Sequence, residues 1–210
     1  MSTRVKYSRT YHLPWSLGVQ SDDNVIASLD AFVGQRVVVT EKMDGENTSI
    51  YNDYIHARSI DGRSHPSRDW VKRFQSTIAR DIPDGWRVCG ENLFAKHSVG
   101  YTQLPSYFLG FSIWTDDNVC LSWDETVEWF DVLDVVGVPI LYDDIYDESA
   151  IKELGNNLDL DAAEGYVIRV ADSFHYDEFK HKVAKFVRVN HVQTDEHWMH
   201  AQIIPNELIK

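Results

Sequence analysis

A polar turn joins two β-forming runs near the start of the chain, in the stretch RVVVTEKMDGENTSIY at residues 36–51. Valines precede the turn and a Thr-Ser-Ile-Tyr run follows it, and residues of these types favour strands. The turn contains one lysine, Lys42, among acidic residues and beside a glycine. The runs on both sides of the lysine are therefore predicted to be strands. Taken alone, the turn allows two interpretations: a solvated hairpin with an incidental ion pair, or a lysine nucleophile.

Three helices are predicted from caps and apolar spacing. The stretch SRDWVKRFQSTIARDI repeats apolar residues from Trp70 to Ile78 at helical spacing, with Ser67 as the N-cap. The stretch SWDETVEWFDVLDVVG begins with a Ser-x-x-Glu capping box at Ser122, and we expect Gly137 to end that helix. The stretch DESAIKEL is predicted as a third, shorter helix. A further helix is expected at residues 194–205, until a proline interrupts it.

Strands are predicted between and after these helices. A hairpin is expected through Asn52 and Asp53, and NVCLSW is expected to pair with the strand before it. Many strands with a few interspersed helices predict an α+β chain, and no linker suggests more than one domain over residues 1–210. The other predicted strands lie in GWRVCGENLF, SYFLGFSIW, EGYVIRV and HKVAKFVRV.

Composition limits the classes of function. A net charge of −13 argues against a general nucleic-acid coat protein, although basic residues at both ends of the motif region could bind a polyanion locally. The acidic middle of the chain is expected to be a solvated face. No apolar run is long enough for a membrane span. Cys89 and Cys120 lack CxxC spacing, which is typical of a reducing compartment, so we expect a cytoplasmic protein.

Several motifs follow the turn in a fixed order. After KMDG at Lys42 come Arg58 in HARS, Glu91 in VCGEN, Phe111 in YFLGFSIW and Glu164 in AEGYVIR, and finally HKVAKFVR. Each motif is short and would occur by chance in many chains, whereas the ordered set is specific. The set resembles the nucleotidyltransferase motifs of ATP-dependent RNA ligases, in the superfamily that also holds DNA ligases and mRNA capping enzymes. The resemblance covers residues 40–189.

The resemblance implies both a fold and a reaction. The expected fold is a ligase adenylation domain of antiparallel sheets flanked by helices, without an OB-fold appendage. The expected activity joins a 5′-phosphate of RNA to a 3′-hydroxyl through a lysyl-AMP and an adenylated RNA end. ATP and Mg²⁺ (or Mn²⁺) are the implied cofactors, and RNA is the implied partner.

For the turn, the resemblance implies that Lys42 forms the covalent lysyl-AMP and that Glu41 contacts the adenine amino group. Asp44 and Gly45 would complete the nucleophile turn. Arg58 would contact phosphate or the RNA end. Lys42, Asp44 and Arg58 are thus predicted catalytic residues, and Glu41 and Gly45 are predicted nucleotide-binding residues.

For the rest of the pocket, the resemblance implies that Glu91 holds the ribose hydroxyls and that Phe111 stacks on adenine. Glu164 would bind the metal, and Glu91 is a second candidate ligand. Lys182 and Lys185 would contact the α-phosphate and the pyrophosphate, with Lys185 also acting in catalysis.

The last motif departs from one common family pattern, in which a single residue separates the two lysines. Here Val183 and Ala184 intervene, and on one strand that spacing directs Lys182 and Lys185 to opposite faces. Lys185 is therefore the preferred cation, with Arg188 as a candidate for the second.

Elementary chemistry supports these roles. A lysine must be neutral to attack phosphorus, and its ordinary pKa of about 10.4 must be lowered by burial or nearby cations. We expect Arg58 and the lysines of HKVAK to supply that positive charge. Magnesium takes oxygen ligands, commonly one or two carboxylates with substrate phosphates. Glu91 and Glu164 each lie beside a glycine, where backbone can approach a ligand closely.

Ordinary structural explanations remain open for several residues. Glu91 and Glu164 could be solvated carboxylates at strand ends, and Phe111 could be a core residue of its strand. Arg58 could form an ion pair with Asp61. The basic stretch around Ser67 could face RNA or be a solvated helix start; its cations are Arg63, Arg68, Lys72 and Arg73.

A zinc site is the weaker interpretation of the histidines. His197 and His200 have the i, i+3 spacing that could chelate zinc, but no third ligand is arranged nearby. Histidines on an amphipathic helix explain the pattern more simply.

Two other functions stay open. One is an enzyme that adenylates ends without joining them, and the other is a non-catalytic nucleotide-binding module. Only residues 190–210 follow the last motif, so we expect an accessory RNA-binding partner to help hold the substrate. A monomer is expected.

Overall fold

The computed structural model describes residues 3–60, 65–159, 162–189 and 203–210. Within them the strands are β1 (Tyr11–His12), β2 (Arg36–Glu41), β3 (Glu46–Ile50), β4 (Ile55–Ala57), β5 (Arg87–Asn92), β6 (Phe108–Trp114), β7 (Val119–Cys120), β8 (Ile140–Ile145), β9 (Gly165–Val170), β10 (Phe174–His175) and β11 (Val183–Val187). The α-helices are α1 (Asp69–Ile78), α2 (Trp123–Leu133), α3 (Glu148–Asn157) and α4 (Phe179–Lys182).

The strands form two sheets. The first sheet has the order β1-β11-β9-β2-β8, and the second has the order β10-β7-β6-β5-β3-β4. Neighbouring strands are antiparallel, except that β1 runs parallel to β11. The predicted α+β class with antiparallel sheets is confirmed.

The turn that contains Lys42 connects the two sheets. The strand before it, β2, pairs with β8 and β9 in the first sheet, whereas β3 pairs with β4 and β5 in the second. The turn is therefore not a hairpin between paired strands, and the hairpin interpretation is wrong. The predicted hairpin through Asn52 and Asp53 is confirmed, because Ile50 of β3 pairs with Ile55 of β4.

Apolar side chains from both sheets share buried clusters. Val38 of β2 belongs to one such cluster with Leu109 of β6 and Met43 of the turn. Fully burying an aliphatic side chain contributes about 1.5–3 kcal/mol, so this contact fixes the turn between the sheets. Farther along the first sheet, Tyr166 and Phe186 stack with ring centroids 4.9 Å apart.

Helix α2 shows where local sequence rules succeed and where they fail. The predicted capping box is present, since Ser122 Oγ accepts from the backbone N–H of Glu125, and Glu125 Oε2 accepts from that of Ser122, at 3.3 and 3.0 Å. The predicted end at Gly137 is wrong. Asp134 ends the helix by adopting the left-handed conformation, with φ 53° and ψ 41°.

The start of α1 also differs from the prediction. Pro66 begins a 3₁₀ turn over Pro66–Arg68, and His65 caps that turn by accepting from the backbone N–H of Ser67 at 3.3 Å. Ser67 is therefore inside the turn, and its predicted role as the N-cap of α1 is wrong. Proline favours the first position of a helical turn because it needs no amide hydrogen.

The structure differs from one prediction near the C-terminal end and describes little of another. The predicted strand HKVAKFVRV begins only at Val183, because Lys182 is the last residue of α4. The helix predicted at residues 194–205 lies mostly outside the described residues, as do His197 and His200. Residues 203–210 contain no helix; Pro205 bridges Ala95 instead. None of the helices in the described ranges combines the length and apolarity of a membrane span.

Candidate active site

Lys42 lies directly after β2, where the chain leaves the first sheet. Its backbone N–H donates to the carbonyl oxygen of Gly165 at 2.9 Å, and its Nζ forms an ion pair with the buried carboxylate of Glu164. Gly165 has φ +153°, and a Cβ there would lie 2.0 Å from the carbonyl oxygen of Phe186. Glycine is required at such a close approach. Gly165 therefore allows the close backbone approach that holds the adjacent Glu164 against Lys42.

Carboxylates keep Lys42 in its charged form. Burial by itself lowers the pKa of Lys42, but the negative charges of Glu164, of Glu91 when it is ionised and of Asp44 outweigh it, so the pKa is raised above its ordinary value. The expected lowering of the pKa by burial is present, but in this structure the carboxylates outweigh it. Lys42 is an ammonium here, and its carboxylate partners must be neutralised before it can act as a nucleophile.

Glu91 lies on β5, paired in register with Asn47 of β3. Burial raises the pKa of its carboxyl group, Lys42 lowers it, and Glu164 and Asp44 raise it again, with the result that the pKa is about 8. Glu91 is therefore mostly protonated at neutral pH.

The two glutamates are the candidate metal ligands. Among the described residues, no three or more His, Cys, Asp or Glu side chains form a metal-binding group. Glu91 and Glu164 both act on Lys42 electrostatically, and the charge of Glu164 also raises the pKa of Glu91. Two carboxylates fit a Mg²⁺ or Mn²⁺ ion whose remaining ligands are water and substrate phosphates, which is the usual arrangement for magnesium.

A cavity of about 260 Å³ opens beside Lys42. Its wall includes residues of both sheets and of the irregular N-terminal segment 7–10. Among the predicted site residues, those that line the cavity are Glu41, Lys42, Arg58, Glu91, Phe111 and Lys185. Residues that lie 144 positions apart in the chain are thus brought to one space between the sheets.

The cavity has an apolar part suited to a flat ring. Phe111 of the second sheet and Val167 of the first both line it. Phe111 is only partly buried, and its ring packs edge to face on Tyr7 at 5.3 Å. Aromatic and aliphatic side chains of this kind commonly line nucleotide pockets. Burial raises the pKa of Glu41, which lines the same cavity.

Cations form another part of the wall. Lys185 of β11 pairs in register with Val167, so both side chains lie on the same face of the first sheet. Burial lowers the pKa of Lys185, and the positive charge of Lys42 adds to that effect. Arg58 is exposed, and its pKa is lowered by partial burial and by the neighbouring charge of Arg9. Asp61, its alternative ion-pair partner, lies outside the described residues.

The other two candidate cations are not in the cavity wall. Lys182 ends α4, with Nζ 3.1 Å from Glu178. The two lysines differ in direction because a helix ends between them, not because they alternate on one strand. Arg188 is buried, and its backbone N–H donates to the carbonyl oxygen of Glu164 at 3.0 Å.

Asp44 and Gly45 shape the turn from within. Asp44 is buried, and its Oδ2 accepts from Ser98 Oγ at 2.8 Å and from the Val99 backbone N–H at 2.7 Å. A Cβ on Gly45 would lie 2.6 Å from the carbonyl oxygen of Asn92. Both residues therefore fix the loop that carries Lys42, and neither lines the cavity.

Arg68 is not part of an RNA-facing surface. It is 7% exposed and forms an ion pair with the equally buried Glu46, with Nε 2.8 Å from Oε2. The interpretation of this stretch as RNA-facing is therefore wrong for Arg68. Lys72 is exposed on α1, and Arg63 lies outside the described residues.

A protein-family model described as RNA ligase matches residues 35–187. The chain belongs to the RNA ligase family. The matched range contains every predicted site residue. No curated protein sequence matches the chain significantly.

Solved structures of ligases share the fold of this family member. An archaeal ATP-dependent RNA ligase matches with a TM-score of 0.60 and 17% identity, over 87% of this chain and 48% of that one. A Naegleria gruberi RNA ligase variant with ATP and Mn matches with a TM-score of 0.56 and 19% identity, over 87% and 58%. An Aquifex aeolicus protein assigned as an ATP-dependent DNA ligase has a TM-score of 0.56 and 21% identity, over 87% and 50%. The chain spans about half the length of these proteins.

Sequence reasoning missed several wall residues of this RNA ligase family member. Tyr7, Arg9 and Asp23 line the cavity but come from segments without regular structure, where no periodicity marks them. Asn47 also lines it, and its buried Oδ1 has no hydrogen-bond partner among the described residues. Its position directly after the Lys42 turn, as a polar residue on a strand, is a signal that could have identified it.

Proposed function

We propose that the chain is the adenylation unit of an ATP-dependent polynucleotide ligase that joins a 5′-phosphate of RNA to a 3′-hydroxyl. The observation that carries this proposal is the position of Lys42 in a cavity wall, in contact with Glu164 and beside Glu91. Family membership and the ATP- and Mn-containing Naegleria relative support ATP and a divalent metal as its cofactors.

The first step is attack of Lys42 Nζ on the α-phosphorus of ATP. A nitrogen–phosphorus bond forms, the bond to the β-phosphate oxygen breaks, and pyrophosphate leaves. Lys185 and Arg58 are placed in the cavity wall to stabilise the charge that develops on the phosphates. Phe111 and Val167 enclose the base, and Glu41 is available to its amino group. In-line displacement at phosphorus depends mainly on such positioning and charge stabilisation.

Lys42 must first lose its proton. Glu164 and Asp44 oppose that loss, and so does Glu91 when it is ionised, whereas burial favours it. Glu164 and Glu91 would hold the divalent cation, which would supply positive charge beside Lys42. Burial of Lys42 lowers its pKa and so favours the neutral amine that attacks phosphorus. In the structure described here, the carboxylates keep the lysine protonated.

Two further steps complete joining. An oxygen of the RNA 5′-phosphate attacks the AMP phosphorus, and the bond to Lys42 Nζ breaks. The 3′-hydroxyl of the second RNA end then attacks the activated 5′-phosphate, and AMP leaves. Arg58, which is exposed at the cavity, is the candidate contact for the incoming 5′-phosphate.

Incubation with α-labelled ATP and Mg²⁺, followed by a denaturing gel, tests the first step. Wild type should carry label, and Lys42→Ala should carry none. Lys96→Ala is the matched control, because Lys96 is an exposed lysine outside the cavity wall, and it should label like wild type. An unlabelled wild type, or a labelled Lys42→Ala, would refute the proposed nucleophile.

The polynucleotide is tested separately, because the structural relatives include both RNA and DNA ligases. Nicked duplexes with RNA or DNA at the 3′-hydroxyl side, and single-stranded ends of each type, should be offered to the labelled protein. Sealing of RNA ends supports the proposal. Sealing of DNA alone, or accumulation of adenylated ends without sealing, would contradict it.

A further inference from the structure

A carboxylate lies among the cations of the cavity wall. Asp23 lines the cavity, and its side chain is only 13% exposed. Its Oδ1 is 3.2 Å from Nη2 of Arg9, which lines the same cavity. Burial raises the pKa of Asp23, but hydrogen bonding and the charges of Lys185 and Arg9 lower it below its ordinary value. Asp23 is therefore ionised at neutral pH.

Contacts with residues of the N-terminal segment hold this carboxylate in place. Oδ2 accepts from the backbone N–H of Gln20 at 3.1 Å and lies 3.2 Å from Nε2 of His12, which is fully buried. His12 Nδ1 lies 2.8 Å from Ser16 Oγ, which already accepts from the backbone N–H of Val187. These contacts restrict rotation of the Asp23 carboxylate away from the cavity wall.

A fixed negative charge here opposes the binding of phosphates. Asp23 forms an ion pair with Arg9 and partly offsets the positive charge of Lys185. Both are cations that a triphosphate would use. At an effective dielectric constant of about 20, one unit charge at about 10 Å changes affinity roughly tenfold. Binding of substrate and transition state is weakened together by such a charge, whereas release of pyrophosphate is favoured.

We propose that Asp23 is a positioning residue that holds Arg9 in the cavity wall and limits the affinity of the site for the phosphates of ATP and for pyrophosphate. The inference rests on the proposed function. Fast loss of pyrophosphate would protect the lysyl-AMP from the reverse reaction, in which bound pyrophosphate regenerates ATP.

Calorimetric titration with inorganic pyrophosphate, without divalent metal, tests the inference. Asp23→Asn keeps the shape of the side chain and an acceptor for Gln20 but removes the charge. It should bind pyrophosphate about tenfold more tightly than wild type, with adenosine affinity unchanged within about twofold. Asp23→Ser should also bind pyrophosphate more tightly than wild type, which shows that the gain is not peculiar to asparagine. Thermal unfolding establishes that each variant is folded.

Asp22→Asn is the matched control. Asp22 also contacts Arg9, at 3.3 Å, but its side chain is 78% exposed and lies outside the cavity wall. It should change pyrophosphate affinity by less than about threefold, because solvent screens an exposed charge.

Unchanged or weaker pyrophosphate binding in both Asp23 variants would overturn the inference, and so would an equal gain in Asp22→Asn. Labelling by ATP separates the two proposals. A wild type that labels while the Asp23 variants show no gain refutes only the role of Asp23. A wild type that never labels refutes the proposed function.

Discussion

Replacement of Glu91 by glutamine should remove a pH-dependent loss of stability. The carboxyl of Glu91 has a pKa of about 8 in the fold against an ordinary value of 4.5, and burial is the main cause. Between these two pH values the folded protein keeps a proton that the unfolded chain has lost. The folded state then binds more protons, so the free energy of unfolding falls as the pH rises, by about 1.4 kcal/mol per pH unit.

Over the whole window this loss reaches about 5 kcal/mol as an upper limit, and relaxation around the ionised group should reduce it to about 2–4 kcal/mol. Glutamine mimics the protonated carboxyl at every pH. Glu91→Gln should therefore match wild type near pH 4.5 and exceed its stability above pH 8. For a chain of this size that difference corresponds to roughly 4–16 °C in Tm.

Thermal unfolding monitored by circular dichroism, at several pH values between these limits, measures the difference. Titrating groups that do not interact with Glu91 affect both proteins equally and cancel. Glu153→Gln is the control, because Glu153 is exposed on α3, and its difference from wild type should not change with pH. Parallel curves for wild type and Glu91→Gln would refute the reasoning, as would a divergence that grows toward low pH.

Four further substitutions separate site roles from packing roles. Lys185→Ala should reduce self-adenylation at least about tenfold, whereas Lys182→Ala should leave it within about twofold; equal losses in the labelling assay would contradict the assignment of Lys185. Glu46→Gln should destabilise the fold by about 1–3 kcal/mol in urea unfolding, because it removes the negative charge that pairs with the buried guanidinium of Arg68; unchanged stability would count against a buried charge pair. Gly45→Ala should cost about 1–3 kcal/mol by the same measurement, since its Cβ would meet a β5 carbonyl oxygen at 2.6 Å, and unchanged stability would mean that the turn relaxes freely.

Local patterns predicted the elements that local forces determine. The capping box at Ser122 is such a case, because both of its hydrogen bonds join residues three apart. The motifs containing Glu91, Phe111 and Lys185 were also predicted to meet, and they line one cavity. That prediction came from the resemblance to a family and from the order of the motifs, since no short-range rule brings such distant residues together.

The features that were not predicted depend on contacts between residues that lie far apart in the chain. The pKa of Lys42 rises because Glu164, 122 residues away, lies in contact with it. The connection of the turn to two different sheets depends on long-range strand pairing. Asp23 enters the cavity wall from a segment without regular structure. Its neighbours in space, not its neighbours in sequence, determine what it does.

The hydrogen bonds of Asp44 link the turn that carries Lys42 to a larger region that would unfold locally as one unit. Asp44 binds the backbone N–H of Val99, and the same loop is tied to the last residues of the chain, where Asn206 accepts from the Tyr101 backbone N–H at 2.9 Å and donates to the Leu93 carbonyl oxygen at 2.8 Å. Local opening near Lys42 therefore requires residues 203–210 to detach as well. A molecule that binds residues 203–210 and holds them in place should slow hydrogen exchange at the Val99 amide. A molecule that detaches them should speed exchange at the turn.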